Sequence, residues 1–137
     1  MALQADALRI ALSLPGVVAE PGAPFGFYVP DRGKKKRFAW VWSERVVPNK
    51  ARVPRPDVLV VRVAGQADKE MLLASDPEKF FTEPHYNGFP AVLVRLEQVD
   101  VDELEELITD AWMCQAPRGL VVDYEKRGGL DGGKQGS

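Results

Sequence analysis

The chain has one cysteine and one histidine in 137 residues. A lone thiol, Cys114, excludes an internal disulfide framework. Cys114 and His85 are also the whole stock of soft or imidazole ligands, too few for a zinc site, which takes about four such groups or three plus water. No metal, catalytic residue or cofactor is expected. No run approaches the roughly 18 continuous apolar residues of a membrane helix. The opening Met1–Ile10 lacks the cationic stretch and apolar run of a secretion leader. The expectation is a cytoplasmic chain with no membrane partner.

Hydrophobic content of 45% and charged content of 28% are those of an ordinary globular domain, and the length suffices for one self-supporting core. We expect one domain over residues 1–124. The Gly-rich, charged tail 125–137 has only Leu130 to dock and is expected to be disordered.

Leu3, Ala7, Ile10, Ala11 and Leu14 form one helical stripe, ended by Pro15-Gly16. Val17–Pro24 has room for a short strand but is interrupted by Pro21, Gly22 and Pro24. Phe25–Val29 reads as a strand, closed by a type I turn at Pro30–Gly33 with a left-handed glycine. The return strand, Lys35–Glu44, puts Phe38, Trp40 and Trp42 on one face. Val46–Pro56, with three prolines, reads as a loop. Asp57–Val63 and Pro90–Leu96 are strands, and Asp68–Ser75 is a short helix. Asp76-Pro77 is expected to restart helical structure, with Asp76 as the cap. Asp100 and Glu103 match a capping box, opening a helix that ends near Pro117. Its stripe is Val101, Leu104, Ile108, Ala111 and Trp112, and its other face is acidic. The fold class that follows is α+β: two layers, an antiparallel sheet with helices on one face, in the order α-β3-α-β2-α. Val58, Val60, Ala91 and Leu93 then lie on one face of the sheet, and Leu59, Val61, Val92 and Val94 on the other. Both faces are apolar, so the one without helices must be covered by Leu120–Tyr124, a second copy or a partner.

One stretch departs from this ordinary pattern. Asp31–Pro56 carries nine basic residues against Asp31 and Glu44, an excess of seven in a chain of net charge -2. Lys34, Lys35, Lys36 and Arg37 cluster at the hairpin, and Arg45, Lys50, Arg52 and Arg55 lie near or in the proline-stiffened loop. If both groups project the same way they could straddle a phosphate backbone, with Trp42 the aromatic nearest the ligand. The bland reading is that lysines keep strand ends soluble, and the acidic balance of the rest of the chain favours it. Elsewhere the chemistry is thin. His85, with Glu83 close by, sits in a turn with no nucleophile motif beside it. Cys114 lies on an acidic helix, which raises rather than lowers a thiol pKa.

Leu14-Pro-Gly-Val17, Phe25-Gly26, Phe38-Ala-Trp40, Asp57–Val63, Leu73–Phe81, Pro84–Pro90, Leu107–Trp112 and Ala116-Pro117 together resemble the MmcQ/YjbR family of small bacterial proteins, over about residues 3–120. The resemblance implies a two-layer α+β fold with an antiparallel sheet. It also implies DNA binding, a label that rests on the likeness to double-wing DNA-binding domains. It brings no catalytic residues. We expect a non-enzymatic DNA-binding domain contacting phosphates through the eight cations above. About five neutralised phosphates would give a salt slope near -4.5. The competing expectation is an interaction module that self-associates or binds a partner through an open apolar sheet face.

Overall fold

The computed structural model describes residues 1–21 and 25–127. Its helices are α1 (Gln4–Leu12), α2 (Gln66–Ser75), α3 (Val101–Gln115) and α4 (Arg118–Lys126). Its strands are β1 (Val18–Glu20), β2 (Gly26–Asp31), β3 (Lys34–Glu44), β4 (Val53–Arg62), β5 (Phe80–Phe81) and β6 (Ala91–Arg95). The strands form one antiparallel sheet in the order β1-β2-β3-β4-β6-β5. The α+β class is as expected, with β1 and α4 as additional elements. Among the described residues no helix is long and apolar enough to cross a membrane.

The helices α1 and α3 pack on one face of the sheet. Phe27, Val29, Phe38, Leu59, Val61, Val92 and Val94 meet Ala7, Ile10, Leu104, Ile108 and Trp112 there in a single buried cluster. The capping box forms as read: Glu103 N–H donates to Asp100 Oδ1 at 2.8 Å, and Asp100 N–H to Glu103 Oε1 at 3.3 Å. Trp112 Nε1 donates to the Pro15 carbonyl at 3.0 Å, tying α3 to the end of α1. Gly16 follows with φ +74°, and a Cβ there would stand 2.9 Å from Leu120 Cδ1 on α4. The Leu14–Val17 turn therefore needs its glycine twice, for a left-handed backbone and for close approach of α4.

Several readings are corrected. The hairpin turn is the two-residue kind: Asp31 pairs with Lys34, and both Arg32 (φ 55°) and Gly33 (φ 81°) are left-handed. Phe38 does not share a face with Trp40 and Trp42. Phe27 pairs with Ala39 and Tyr28 with Arg37, so Phe38 is the extra residue of a β-bulge. The bulge lets Phe38 and Ala39 both enter the helix-side core and turns Trp40 to the opposite face. Val53–Pro56 is strand rather than loop, with Val53, Pro54 and Arg55 opposite Glu44, Ser43 and Trp42. The prolines are tolerated because β6 pairs only with Val58–Arg62, so this end of β4 is a free edge. Asp76–Lys79 makes a single turn, Asp76 Oδ1 accepting from Glu78 N–H at 3.0 Å, and leads into β5 rather than a helix. Leu120–Tyr124 folds as α4 and packs on the helix-side core, not on the second face. Residues 128–137, most of the expected disordered tail, lie outside the described residues; Glu125 and Lys126 belong to α4.

The second face is closed by the chain itself. Val58, Val60, Ala91 and Leu93 share it as expected, but under Tyr86, Trp40, Trp42 and Phe81, and Val60 and Leu93 are fully buried. Among the described residues these partly buried aromatics, not a helix, are what lies over the apolar side chains of β4 and β6. Tyr86 belongs to a short 3-10 turn, Pro84–Tyr86, held from beneath by the buried Lys69 of α2. Lys69 Nζ donates to the Tyr86 carbonyl at 2.6 Å and the Phe89 carbonyl at 2.8 Å. Burial lowers its pKa, since desolvation penalises an ammonium that has only carbonyls as partners. Replacing Lys69 with Met, which keeps the stem but not the donors, should cost about 1.5–3 kcal/mol, the range for hydrogen bonds to a charged group. A urea midpoint unchanged from wild type would show that the clamp contributes nothing.

Candidate functional site

Long side chains on β3 and β4 meet the Pro84–Phe89 segment on the second face and leave a cleft of about 380 Å³ between them. Arg37, Trp40, Ser43, Arg52, His85, Tyr86 and Phe89 line it. The Trp40 and Tyr86 rings lie 6.4 Å apart, and Trp40 Nε1 donates to the Tyr86 hydroxyl at 3.0 Å. Burial raises the Tyr86 pKa, which keeps the phenol protonated. The exposed His85 ring stands edge-on to Tyr86 at 4.9 Å. Arg37 lies over Trp40, its guanidinium 5.8 Å from the ring centre, and Arg62 over Phe89 at 4.9 Å. Within the cleft a guanidinium thus lies against an aromatic ring at Arg37 and Trp40, while Arg62 backs Phe89 from outside the lining.

The eight cations expected to contact phosphate, with Trp42 among them, are spread along β3 rather than gathered at one point. Lys34–Arg37 and the Arg45–Arg52 loop occupy opposite ends of β3, and ten residue steps at about 3.3 Å each separate them by roughly 30 Å. Strand alternation splits the basic run as well. Lys35 and Arg37 project with Tyr28 and Trp40, while Lys34 and Lys36 follow the parity of Asp31 and Val29.

Half of the eight cations are also paired inside the molecule. Lys35 Nζ and Arg37 Nη2 hold Glu20 at 3.0 and 2.7 Å, and Arg55 Nε holds Glu44 at 2.7 Å. Arg52 Nη1 donates to the Ser43 carbonyl at 2.7 Å and stands 3.8 Å from Glu83 Oε2. Arg45 Nη1 braces its loop on the Lys50 carbonyl at 2.9 Å. Among the described residues Lys34, Lys36, Arg45 and Lys50 have no carboxylate partner. Trp42 Nε1 donates to Glu83 Oε2 at 3.1 Å and its ring packs edge-on to Phe81. It is a wall of the fold rather than part of the cleft lining. Glu83 is thus engaged by Trp42 and Arg52, not by His85.

Of the expected residues, only Arg37 and Arg52 reach the cleft. Trp40, Ser43, Tyr86 and Phe89 are the lining residues that sequence reasoning missed. Strand alternation without the bulge placed Trp40 with Phe38 in the core, and nothing local in Pro84–Pro90 tells which face of the sheet it covers.

The family model YjbR matches residues 12–114. The chain belongs to the YjbR family. Uncharacterised proteins of Mycobacterium bovis and Mycobacterium tuberculosis are 49% identical to it over 71 residues, 52% of this chain. The match spans 55% of those relatives' length. A Deinococcus radiodurans protein with a DUF419 domain, known from its crystal structure, aligns over 99% of this chain and 97% of its own at a TM-score of 0.67 and 20% identity. That likeness establishes a shared fold.

The two hydrogen bonds from Lys35 and Arg37 hold the Glu20 carboxyl below its usual value of 4.5. A depressed carboxyl stabilises the fold above its unfolded pKa and loses that contribution as pH falls through the folded one. Glu20→Gln should therefore flatten the acid limb of the stability profile below about pH 4.5. At pH 7 it should cost less than about 1 kcal/mol, because the pairs are solvent-exposed. Urea midpoints measured from pH 3 to 7 check both; parallel profiles for the two proteins would contradict the linkage.

Proposed function

We propose that this YjbR-family chain is a non-enzymatic nucleic-acid-binding domain that takes a single strand along β3. The observation that carries the reading is the cleft, where Arg37 and Arg52 stand beside Trp40, His85, Tyr86 and Phe89. Aromatic faces that stack bases, beside guanidinium groups, suit an unpaired strand, because a duplex hides its base faces. Arg45 and Lys50, without a carboxylate partner among the described residues, follow β3 in the chain and support a strand path continuing beyond Arg52; Lys34 and Lys36 take the parity of the opposite face and are not part of it. A path on the order of 20 Å, from Arg37 to the far end of β3, suits the lower part of the ~4–16 nucleotides that single-strand folds cover.

This reading differs in degree from a duplex clamp. The two free cations give a slope of log K against log salt of about -1.4 on a single strand, shallower than eight or five would give. Fluorescence polarisation with a labelled oligothymidylate, alone and annealed to its complement, is the test. The single strand should bind more tightly. Phe89→Ala should weaken binding by about tenfold, the worth of one stacked base. Lys50→Gln should leave a slope of about -0.7, and Lys34→Gln with Lys36→Gln should leave the slope unchanged. Absence of binding at low salt, or preference for the duplex, would overturn the proposal.

A further inference from the structure

A second cavity, larger than the cleft, opens at the other end of the sheet and is unrelated to the basic stretch. It has a volume of about 600 Å³, within the roughly 300–1,000 Å³ of small-molecule sites. Val61 and Val63 make its floor, Met71 and Leu72 of α2 one wall, and Leu107 and Met113 of α3 the other.

The cavity follows from how α2 is attached. The only fully buried residue of this helix is Lys69, and its ammonium is bonded to the Pro84–Phe89 side of the sheet. An amphipathic helix normally seats itself by an apolar stripe. Here the stripe is thin: Leu72 and Leu73 are half-buried and Met71 is exposed. Held by hydrogen bonds on one side, α2 stands off from α3 on the other, and the wedge between them stays open.

The mouth has a definite charge. Arg62, Asp68 and Asp110 all border it. Arg62 keeps its charge but is held toward the Phe89 side, its Nε donating to the Pro90 carbonyl at 3.2 Å and its guanidinium 4.9 Å from the Phe89 ring centre. Asp68 and Asp110 have no ion pair among the described residues. The cavity thus has an apolar body and a rim of two carboxylates and one guanidinium, one negative charge in excess. We propose that it is a binding site for a small amphiphile with a cationic amine head, its hydrocarbon part between Leu72 and Leu107 and its ammonium between Asp68 and Asp110. An anionic amphiphile would have Arg62 to pair with but two carboxylates to meet, and a neutral one would leave both carboxylates unpartnered.

The lone thiol supplies a reporter. Cys114 is exposed and lines the cavity wall, and no other cysteine competes for label. The experiment titrates the full chain with octylamine, octanoate and octanol, reading methyl NMR shifts and the rate of Cys114 alkylation by N-ethylmaleimide. Octylamine should give saturable shifts at Leu72, Leu107 and Met113 and slow the alkylation. Asp68→Asn with Asp110→Asn should weaken it by about tenfold, the worth of one charge-assisted hydrogen bond. Leu107→Trp should fill the cavity and abolish binding, with an unchanged circular dichroism spectrum showing that the fold persists. Octanoate or octanol binding as tightly as octylamine, or no saturable shift with any of the three, would overturn the assignment. So would a dimer in light scattering that Leu107→Trp dissolves, since the cavity would then be the seat of a second copy.

Discussion

The buried ammonium of Lys69 is the contact on which the less conventional half of the molecule depends. The helix-side core assembles as any two-layer domain does, by apolar stripes on α1 and α3 meeting alternate residues of the sheet. The second face has no such helix. Its cover is a short irregular segment, Pro84–Phe89, and irregular backbone over a core must find partners for its carbonyls. Lys69 supplies them at Tyr86 and Phe89. That clamp keeps Tyr86 over Val60 and Leu93 and within reach of the Trp40 indole. It also turns the anchoring side of α2 away from α3. The closed second face and the open wedge beside α3 are two results of one polar attachment.

The class of the fold could be read from the sequence because it rests on periodicity. The stripes of α1 and α3, the capping box at Asp100, and the parity of Val58, Val60, Ala91 and Leu93 against Leu59, Val61, Val92 and Val94 all came through unchanged. What failed was parity across an interruption. One extra residue at Phe38 reverses every side chain after it, and no composition signal marks that bulge, since Phe, Ala and Trp are all acceptable in a regular strand. The glycine at position 26 is the trace it leaves. Gly26 pairs with Trp40, and a Cβ there would come within 2.7 Å of the Trp40 Cβ. A glycine opposite a tryptophan is a sequence-level hint that backbones approach closely there.

The prolines misled for a related reason. Pro54 and Pro56 exclude a central strand, and from the sequence β4 looked central. Both statements hold along different lengths of the same strand: β4 is central from Val58 to Arg62 and an edge from Val53 to Asp57. Strand length is a local property, whereas which neighbour covers which part of it is not. The same limit applies to Lys69, whose role is fixed by two carbonyls 17 and 20 residues away.

Charge shows most plainly what a sequence count leaves out. An excess of seven over Asp31–Pro56 suggests a strongly positive surface, but a surface potential depends on who stands beside each cation. Glu20 and Glu83, both outside the stretch, and Glu44 within it draw in Lys35, Arg37, Arg52 and Arg55. These pairs are partly exposed, so each adds little to stability. Their larger effect is positional. Glu20 sets Arg37 over the Trp40 ring, and Glu83 holds Arg52 beside Trp42. Cations that cancel in a count become fixed guanidinium planes in space, presented at one cleft. A ligand that meets them gains from their orientation more than from their charge, because the carboxylates behind them have already neutralised much of the long-range field.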